Sequence, residues 1–299
     1  WWDYGYWGQS IGKRATVLDG GNAIVYWDYL MGRYVLTEPD EMKRLEFLYA
    51  HNTTHLLIDS TEIGKYTAFS SIGSDKDYDR FSWISTFRLD ERQTQETRDR
   101  TIFFYAGGTG VDEDIVWKEN ESEILFPFKS VVIGAILLPD VNGSIQQPSA
   151  VFIYKNIQYN IPLRYVYYNG KVYNFNNGLE AGIFIYPRVI QGNNNQIGIN
   201  DKGVLLYLSK KTINSRIARL YLFNESSKYF KLVHSEDDPI IENLKQQKVI
   251  NGDFVEYYGF RGPIKIWEIS YPKDIKANPA YLEREYPSQY IKASKPGYY

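Results

Sequence analysis

The sequence contains no cysteine among its 299 residues. This absence excludes disulfide bonds, thiolate catalysis and cysteine-ligated zinc sites, and it leaves the redox compartment undetermined. Long hydrophobic runs are also missing, since no apolar stretch reaches the roughly 18–20 residues needed to span a bilayer. Nothing at the start resembles a signal peptide. Because the first residue is tryptophan rather than methionine, we expect the chain to be a piece of a longer protein.

The chain also lacks a large net charge of either sign. The formal net charge is −2, which predicts no general attraction to nucleic acid. Hydrophobic residues make up 43% of the chain and charged residues 23%, so a core of one large or two modest domains is expected. Tyrosine is abundant, with 27 residues, which is typical of half-buried strands and exposed contact surfaces.

The hydrophobic patterns predict an α+β fold in three regions. Residues 1–100 show the patterns of a mixed α/β central core. Residues 101–210 contain short runs of β-branched and aromatic residues bounded by turns, which predict an inserted antiparallel β barrel or sandwich-like unit. Residues 211–299 return to the central core and end in a tail that we expect to pack loosely.

Local patterns in the first region predict individual elements. Apolar spacing predicts a helix over residues 23–34. A second helix is expected to begin at Thr37, a favourable N-cap residue. Short strands are predicted at residues 15–19 and 55–59, and a helical segment at residues 81–89.

In the rest of the chain, Asn169-Gly170 lies between two tyrosine-rich runs and predicts a two-residue β-hairpin turn. Residues 192–195 predict a loop. A helix is expected over residues 212–223, followed by strands at residues 230–234 and 264–269 that rejoin the first region.

The first five residues, Trp1-Trp2-Asp3-Tyr4-Gly5, form the most distinctive motif. Aromatic faces can cover a small apolar group such as a methyl. A carboxylate beside them can accept a hydrogen bond, which discriminates strongly in a site that excludes water. We therefore expect this motif to bind a small group that carries a methyl and a hydroxyl.

A second motif lies in residues 58–66, with the sequence IDSTEIGKY. Glu62 precedes Lys65 by about one helical turn, a spacing that also suits an ordinary surface ion pair. Asp59 ends the preceding predicted strand. Either acid could pair with Lys65, and the sequence leaves this choice open.

The WWDYG motif resembles the signature of the catalytic subunit of oligosaccharyltransferase, the membrane enzyme of asparagine-linked glycosylation. Residues 58–66 resemble the second acceptor-side motif of that family, which has an aspartate, a lysine three residues later and a methionine or isoleucine four residues after the lysine. Here Glu62, Lys65 and Phe69 occupy those positions. Segments within residues 213–233 and 264–268 are similar to archaeal members, so the resemblance covers most of the chain.

The resemblance implies that Trp1, Trp2 and Asp3 bind the threonine or serine two residues after an acceptor asparagine. It implies an acceptor-sequon site that comprises Trp1, Trp2, Asp3, Tyr4, Gly5, Asp59, Glu62, Lys65 and Phe69. The implied partners are a polypeptide with an Asn-x-Ser/Thr sequon and a lipid-linked oligosaccharide on a dolichyl carrier. The second partner would bind through a membrane region that this chain lacks, with this domain on the extracytoplasmic side of the cell membrane.

The resemblance also implies a divalent cation, Mn or Mg, in the full-length enzyme. In the family its ligands lie on loops of the membrane region. We therefore expect no metal and no catalytic residue on this chain, and we expect the chain to be inactive alone.

Other sequence patterns are weaker evidence for a functional site. His51 and His55 have the spacing of a helical metal pair, but Asn52 stands where a zinc protease has glutamate. Residues 107–110 lack the Lys-Ser/Thr of a phosphate loop, and residues 112–114 are interpreted as a solvated acidic turn. Candidate glycan-acceptor sequons occur at Asn52, Asn120, Asn142 and Asn224.

A function of another class remains open from sequence. An aromatic-rich extracellular module could bind carbohydrate or protein without taking part in catalysis, using exposed tyrosines of the β unit. Many apolar spans upstream of this segment would favour the transferase, whereas a signal peptide alone would favour the module.

Overall fold

The computed structural model describes residues 1–119, 122–191 and 197–287. Within these residues the α-helices are α1 Gly5–Ser10, α2 Val25–Leu30, α3 Glu41–Ala50, α4 Thr61–Gly64, α5 Tyr66–Ile72, α6 Lys210–Ile213 and α7 Pro239–Gln246. Short 3-10 segments span Trp2–Tyr4 and Pro279–Leu282, and π-helical segments span Met31–Leu36 and Ala218–Leu222. Across the described ranges, no helix has the length and apolarity needed to cross a membrane.

The strands of the described chain are, in order, β1 His55–Ile58, β2 Ser85–Leu89, β3 Gln95–Glu96, β4 Arg100–Gly110, β5 Ile115–Glu119, β6 Ser122–Phe126, β7 Val132–Val141, β8 Ser144–Ile145, β9 Ser149–Tyr154, β10 Ile157–Tyr168, β11 Lys171–Asn174, β12 Leu179–Gln191, β13 Ile197–Leu208, β14 Phe230–Glu236, β15 Val255–Glu256, β16 Phe260–Arg261 and β17 Ile264–Ile269. The predicted loop at residues 192–195 and the sequon at Asn120 lie outside the described residues.

Two compact units divide the chain, and each is described by itself. The first contains Trp1–Trp83, Asn214–Glu236 and the described residues from Pro263 onward, and the second contains Ile84–Ile213 and Asp237–Gly262. The sequence placed its boundaries near residues 100 and 210. Residues after 83 lie in the second unit because β2 pairs with β4 and β13.

The first unit packs helices with a three-stranded antiparallel sheet in the order β1-β17-β14. The predicted strands at residues 55–59, 230–234 and 264–269 are therefore confirmed. Fully buried side chains from α3, α5 and the second π-helical segment form the core of this unit, including Leu45, Phe47, Leu48, Phe69 and Tyr221. The mixed α/β character predicted for this unit is confirmed.

Several local predictions in this unit need correction. The N-cap of α3 is Asp40, whose carboxylate accepts from the backbone N–H of Met42 at 2.9 Å. Thr37 instead donates from its hydroxyl to the carbonyl of Gly32, and so closes the preceding π-helical segment. Residues 15–19 form no regular strand, because side-chain hydrogen bonds to Asp19, rather than a neighbouring strand, hold this loop.

The segment predicted as one helix over residues 212–223 is interrupted at residues 214–215, between α6 and the second π-helical segment. Part of the tail packs closely, although the sequence predicted loose packing. The ring of Tyr281 is buried and lies 5.3 Å from that of Tyr34 and 5.8 Å from that of Phe47.

The second unit is a closed seven-stranded barrel in the described residues. The strands pair in the order β10-β9-β7-β4-β2-β13-β12, and β12 returns to β10 through a parallel pairing. The other pairings around the ring are antiparallel, so the predicted barrel is confirmed. The predicted turn at Asn169-Gly170 joins β10 to β11, and both residues have the positive φ values, 49° and 69°, of a type I′ hairpin.

One prediction for the barrel unit is wrong, because most of the segment expected as a helix over residues 81–89 is strand β2. Its inward residue Phe87 is fully buried in the barrel core together with Tyr105 and Phe152. Cross-strand packing therefore overrides the helical spacing. The sequence reading also missed α7, which has Asp238 as its N-cap and Pro239 in its first turn.

Close helix packing in the first unit depends on two glycines. A Cβ added to Gly32 would lie 2.5 Å from the carbonyl oxygen of Phe69, and one added to Gly73 would lie 2.4 Å from the backbone nitrogen of Arg33. The backbones of α5 and the first π-helical segment therefore approach more closely than any other residue type allows.

We expect Gly32→Ala to lower the free energy of unfolding by about 1–3 kcal/mol, because the methyl overpacks this contact. Gly64→Ala is the matched control, since a Cβ there meets nothing within 4 Å. The control should be neutral, or stabilising by up to about 1 kcal/mol. Tryptophan fluorescence during urea denaturation suits the measurement, because every tryptophan except Trp117 lies in the first unit. Equal effects of both substitutions would contradict this account of the packing.

Candidate functional site

The WWDYG motif is held in place by the close approach of another backbone segment. Residues Trp2–Tyr4 form a 3-10 turn that continues into α1 at Gly5. A Cβ on Gly5 would lie 2.2 Å from the carbonyl oxygen of Leu18 and 2.4 Å from the Cα of Asp19. Only glycine fits there, so the loop behind the motif determines its fifth residue.

Asp3 and Lys65 form an ion pair that joins the two sequence motifs. The Lys65 Nζ lies 3.1 Å from the Asp3 Oδ2, and each side chain is about one-third exposed (30% and 29%). Lys65 lies at the junction of α4 and α5. Burial acts to lower the pKa of Lys65, but the close contact with the Asp3 carboxylate and the charges of Glu62 and Asp3 outweigh it, so the pKa is raised. Lys65 therefore keeps its positive charge beside Asp3.

The two tryptophans of the motif pack at tilted angles against each other and against the core. The ring of Trp1 lies 6.4 Å from that of Trp2, at an interplanar angle of 46°. On another side it lies 5.9 Å from the ring of Phe69, which is fully buried. Phe69 thus supports Trp1 from the core, and the side chain of Trp1 is itself only 2% exposed, whereas Trp2 is half-buried.

Glu62 is a buried carboxyl at the edge of the same cluster. The backbone nitrogen of Trp1 lies 3.3 Å from the Glu62 Oε1, and the Glu62 Oε2 has no hydrogen-bond partner among the described residues. Burial raises the pKa of Glu62, and the positive charge of Lys65 opposes this effect. Glu62 contributes to the electrostatic environment of Lys65 without forming its ion pair.

Asp59 has a different role in the local structure. Its Oδ1 accepts from the backbone N–H of Thr61 at 2.7 Å and from the Thr61 hydroxyl at 2.6 Å, which fixes the start of α4. The Thr61 hydroxyl in turn lies 2.9 Å from the hydroxyl of Tyr4. The structure therefore places all nine predicted residues in one neighbourhood, but it pairs Lys65 with Asp3 rather than with Asp59 or Glu62. The sequence reading missed Thr61, although an aspartate two residues before a threonine is a recognisable turn signal.

The weaker candidates form no comparable site. The Nε2 of His51 donates to the carbonyl oxygen of Tyr281 at 3.0 Å, whereas His55 contacts the hydroxyl of Thr54. Residues 107–110 belong to strand β4. Asn52 and Asn142, both sequon asparagines, are exposed in turns with positive φ. Over the described ranges, no three acidic or histidine side chains converge as ligands for a metal ion.

Two further carboxyl groups, those of Asp19 and Asp28, lie near the WWDYG motif. Asp19 accepts from the backbone N–H of Gly21 and from the side-chain amide of Gln9. Asp28 on α2 is buried, and burial together with the charge of Asp19 raises the pKa of Asp28 to about 6. The acid that is costly to ionise is therefore Asp28 on α2, and the charge of Asp19, in the loop that confines Gly5, adds to this cost.

The solved structures that are similar to this chain include two C-terminal domains. The C-terminal domain of PglB from C. jejuni is 11% identical, with a TM-score of 0.43, and the match covers 91% of this chain and 92% of that domain. The C-terminal globular domain of the oligosaccharyltransferase PaAglB-L from Pyrococcus abyssi is 14% identical, with a TM-score of 0.33, over 90% of this chain and 45% of that one. No family model and no curated protein matches the chain.

We expect Asp28→Asn to raise the melting temperature at pH 7 but not at pH 4. In the unfolded chain this carboxyl loses its proton near pH 4, whereas in the folded chain it does so near pH 6. The cost to stability therefore grows between these values and is complete above them, at about 1–2 kcal/mol after allowance for partial solvation. Thermal melts of both proteins across this range provide the check. A difference that does not change with pH would point to packing instead of ionisation.

Proposed function

We propose that this chain is the acceptor-recognition domain of a membrane oligosaccharyltransferase. In this proposal Asp3, Lys65 and the two tryptophans bind the threonine or serine of an Asn-x-Ser/Thr sequon. The observation that carries the proposal is the 3.1 Å ion pair between Lys65 and Asp3. It brings together, beside a pair of tryptophan rings, the two motifs that resemble the acceptor-side motifs of that family.

Asp3 supplies the polar part of the recognition. A threonine hydroxyl donates to a carboxylate oxygen of Asp3, while the faces of Trp1 and Trp2 cover the threonine methyl. Alanine at this position would leave the desolvated carboxylate without a hydrogen bond, at a cost of about 1–3 kcal/mol. Serine loses only the methyl contact, about 0.8 kcal/mol. The order of preference is therefore threonine, then serine, with alanine far below.

Lys65 supplies a fixed positive charge. Its raised pKa keeps the ammonium charged at physiological pH, and the ion pair holds one oxygen of Asp3 in place. Glu62 adds a negative charge near Lys65, and the buried ring of Phe69 supports Trp1. Asp59 and Gly5 set the backbone positions of the two motifs.

The remaining chemistry belongs to other parts of the full-length protein in this proposal. The amide nitrogen of asparagine is a poor nucleophile, and its reaction with a lipid-linked oligosaccharide requires carboxylates and a divalent cation, Mn or Mg. The described residues assemble no such ligand group, and no step assigned to this chain involves the cation. The chain would act on the extracytoplasmic side of a membrane and would transfer no glycan alone.

The decisive substitution is Asp3→Ala in the full-length protein in native membranes. We expect kcat/KM for an Asn-x-Thr peptide to fall about 10- to 100-fold, because the threonine hydroxyl loses its acceptor. Wild type should transfer glycan in the order Asn-x-Thr, Asn-x-Ser, Asn-x-Ala, and the variant should lose most of this discrimination. Transfer rates with the three peptides, at matched protein levels, measure both effects.

Asp77→Ala serves as the control, since Asp77 is an exposed acid in a turn of the same unit. It should transfer like wild type, and melting temperatures establish that both variants fold. Equal transfer to Asn-x-Thr and Asn-x-Ala peptides by wild type would refute the site. Absence of any transfer by the full-length wild type would favour a non-catalytic binding module.

A further inference from the structure

A chain of hydrogen bonds lies directly beside the ion pair of Asp3 and Lys65. The Tyr4 hydroxyl lies 2.9 Å from the Thr61 Oγ1, and the Thr61 Oγ1 lies 2.6 Å from the Asp59 Oδ1. Thr61 is therefore the middle member of this series of hydrogen bonds, and it connects the WWDYG turn to the start of α4.

The direction of these hydrogen bonds follows from the donors available. The carboxylate of Asp59 accepts, so the single hydroxyl proton of Thr61 is donated to Asp59. The Thr61 oxygen is then left as an acceptor, and the hydroxyl of Tyr4 donates to it. The series of hydrogen bonds ends at the Asp59 carboxylate. The bond from Thr61 to Asp59 is therefore of the strong, charge-assisted kind.

Tyr4 also contacts the lysine of the ion pair. The Lys65 Nζ lies 5.0 Å from the centroid of the Tyr4 ring, within the range of a cation–π interaction. The same ammonium lies 3.1 Å from the Asp3 Oδ2. A ring that is anchored at its hydroxyl restricts where the long lysine side chain can place its charge.

We propose that Thr61 and Tyr4 are positioning residues that hold Lys65 against Asp3 and so sharpen recognition of the sequon hydroxyl. This inference rests on the proposed function and deepens it. Asp59 acts here through Thr61 and not by contact with the acceptor peptide. The contribution of Asp59 to the site is then distinct from that of Glu62, which lies buried beside Trp1.

The test compares Thr61→Val and Tyr4→Phe in the full-length protein in membranes. Each substitution keeps the shape of the side chain and removes a hydroxyl of the hydrogen-bond chain. We expect KM for an Asn-x-Thr peptide to rise about 3- to 10-fold in Tyr4→Phe, which removes one hydrogen bond, and at least as much in Thr61→Val, which removes two, with kcat little changed in both. Adding Tyr4→Phe to Thr61→Val should bring no further increase, because the bond between them is already lost. Thr61→Ser should restore the wild-type KM.

Thr67→Val is the matched control. Thr67 is an exposed threonine on α5 that uses its backbone carbonyl to accept from Ser70. Its KM should equal that of wild type. Wild-type KM values in Thr61→Val and Tyr4→Phe would overturn the inference while leaving the proposed function intact.

A second readout does not depend on glycan transfer. NMR titration of ¹³C-labelled lysine side chains in this chain follows the pKa of Lys65, which the charges of Asp3 and its neighbours raise. In Thr61→Val we expect this pKa to fall towards the ordinary lysine value, because the ammonium is held less closely. An unchanged Lys65 titration would overturn the positioning role. If wild type discriminated no sequon, the proposed function would fail, and the titration would still decide whether Thr61 positions Lys65.

Discussion

The ion pair between Asp3 and Lys65 is the interaction on which the candidate site depends. It joins a turn at the start of the chain to the junction between α4 and α5. Both side chains are partly exposed, so the pair contributes little to stability by itself. Its importance lies in geometry, since it places a cation against the carboxylate of the turn that carries the two tryptophans.

This geometry is maintained by contacts of residues outside the ion pair itself. The close approach of Leu18 and Asp19 to Gly5 sets the position of the WWDYG turn, and the buried ring of Phe69 supports Trp1. The hydrogen bonds from Thr61 to Asp59 fix the start of α4 and, with it, the position of Lys65. A site built in this way is sensitive to substitutions that never touch a ligand, because its precision is set by the supporting groups.

The barrel unit contributes none of the nine candidate residues. Its interior is filled by side chains such as Phe87, Tyr105 and Phe152, and its seven-stranded ring closes through the parallel pairing of β10 with β12. Closure of the ring leaves none of its seven strands as a free edge, which protects a sheet rich in β-branched and aromatic residues from pairing with other chains.

The sequence by itself determined the α+β class, the turn at Asn169-Gly170 and the three strands of the first unit, because period-two patterns and turn chemistry are local properties. It also singled out the residues of the two motifs. The tertiary structure decided which acid pairs with Lys65, that Asp59 and Thr61 fix the start of α4, and that residues 85–89 form a strand. The tertiary structure also shows why residue 5 is glycine, because the backbone of Leu18 and Asp19 leaves no room for a Cβ there. Each of these outcomes depends on contacts between residues that are distant in sequence. Local patterns, such as a helical spacing or two neighbouring acids, do not specify which distant backbone segment or charge will lie beside a given residue.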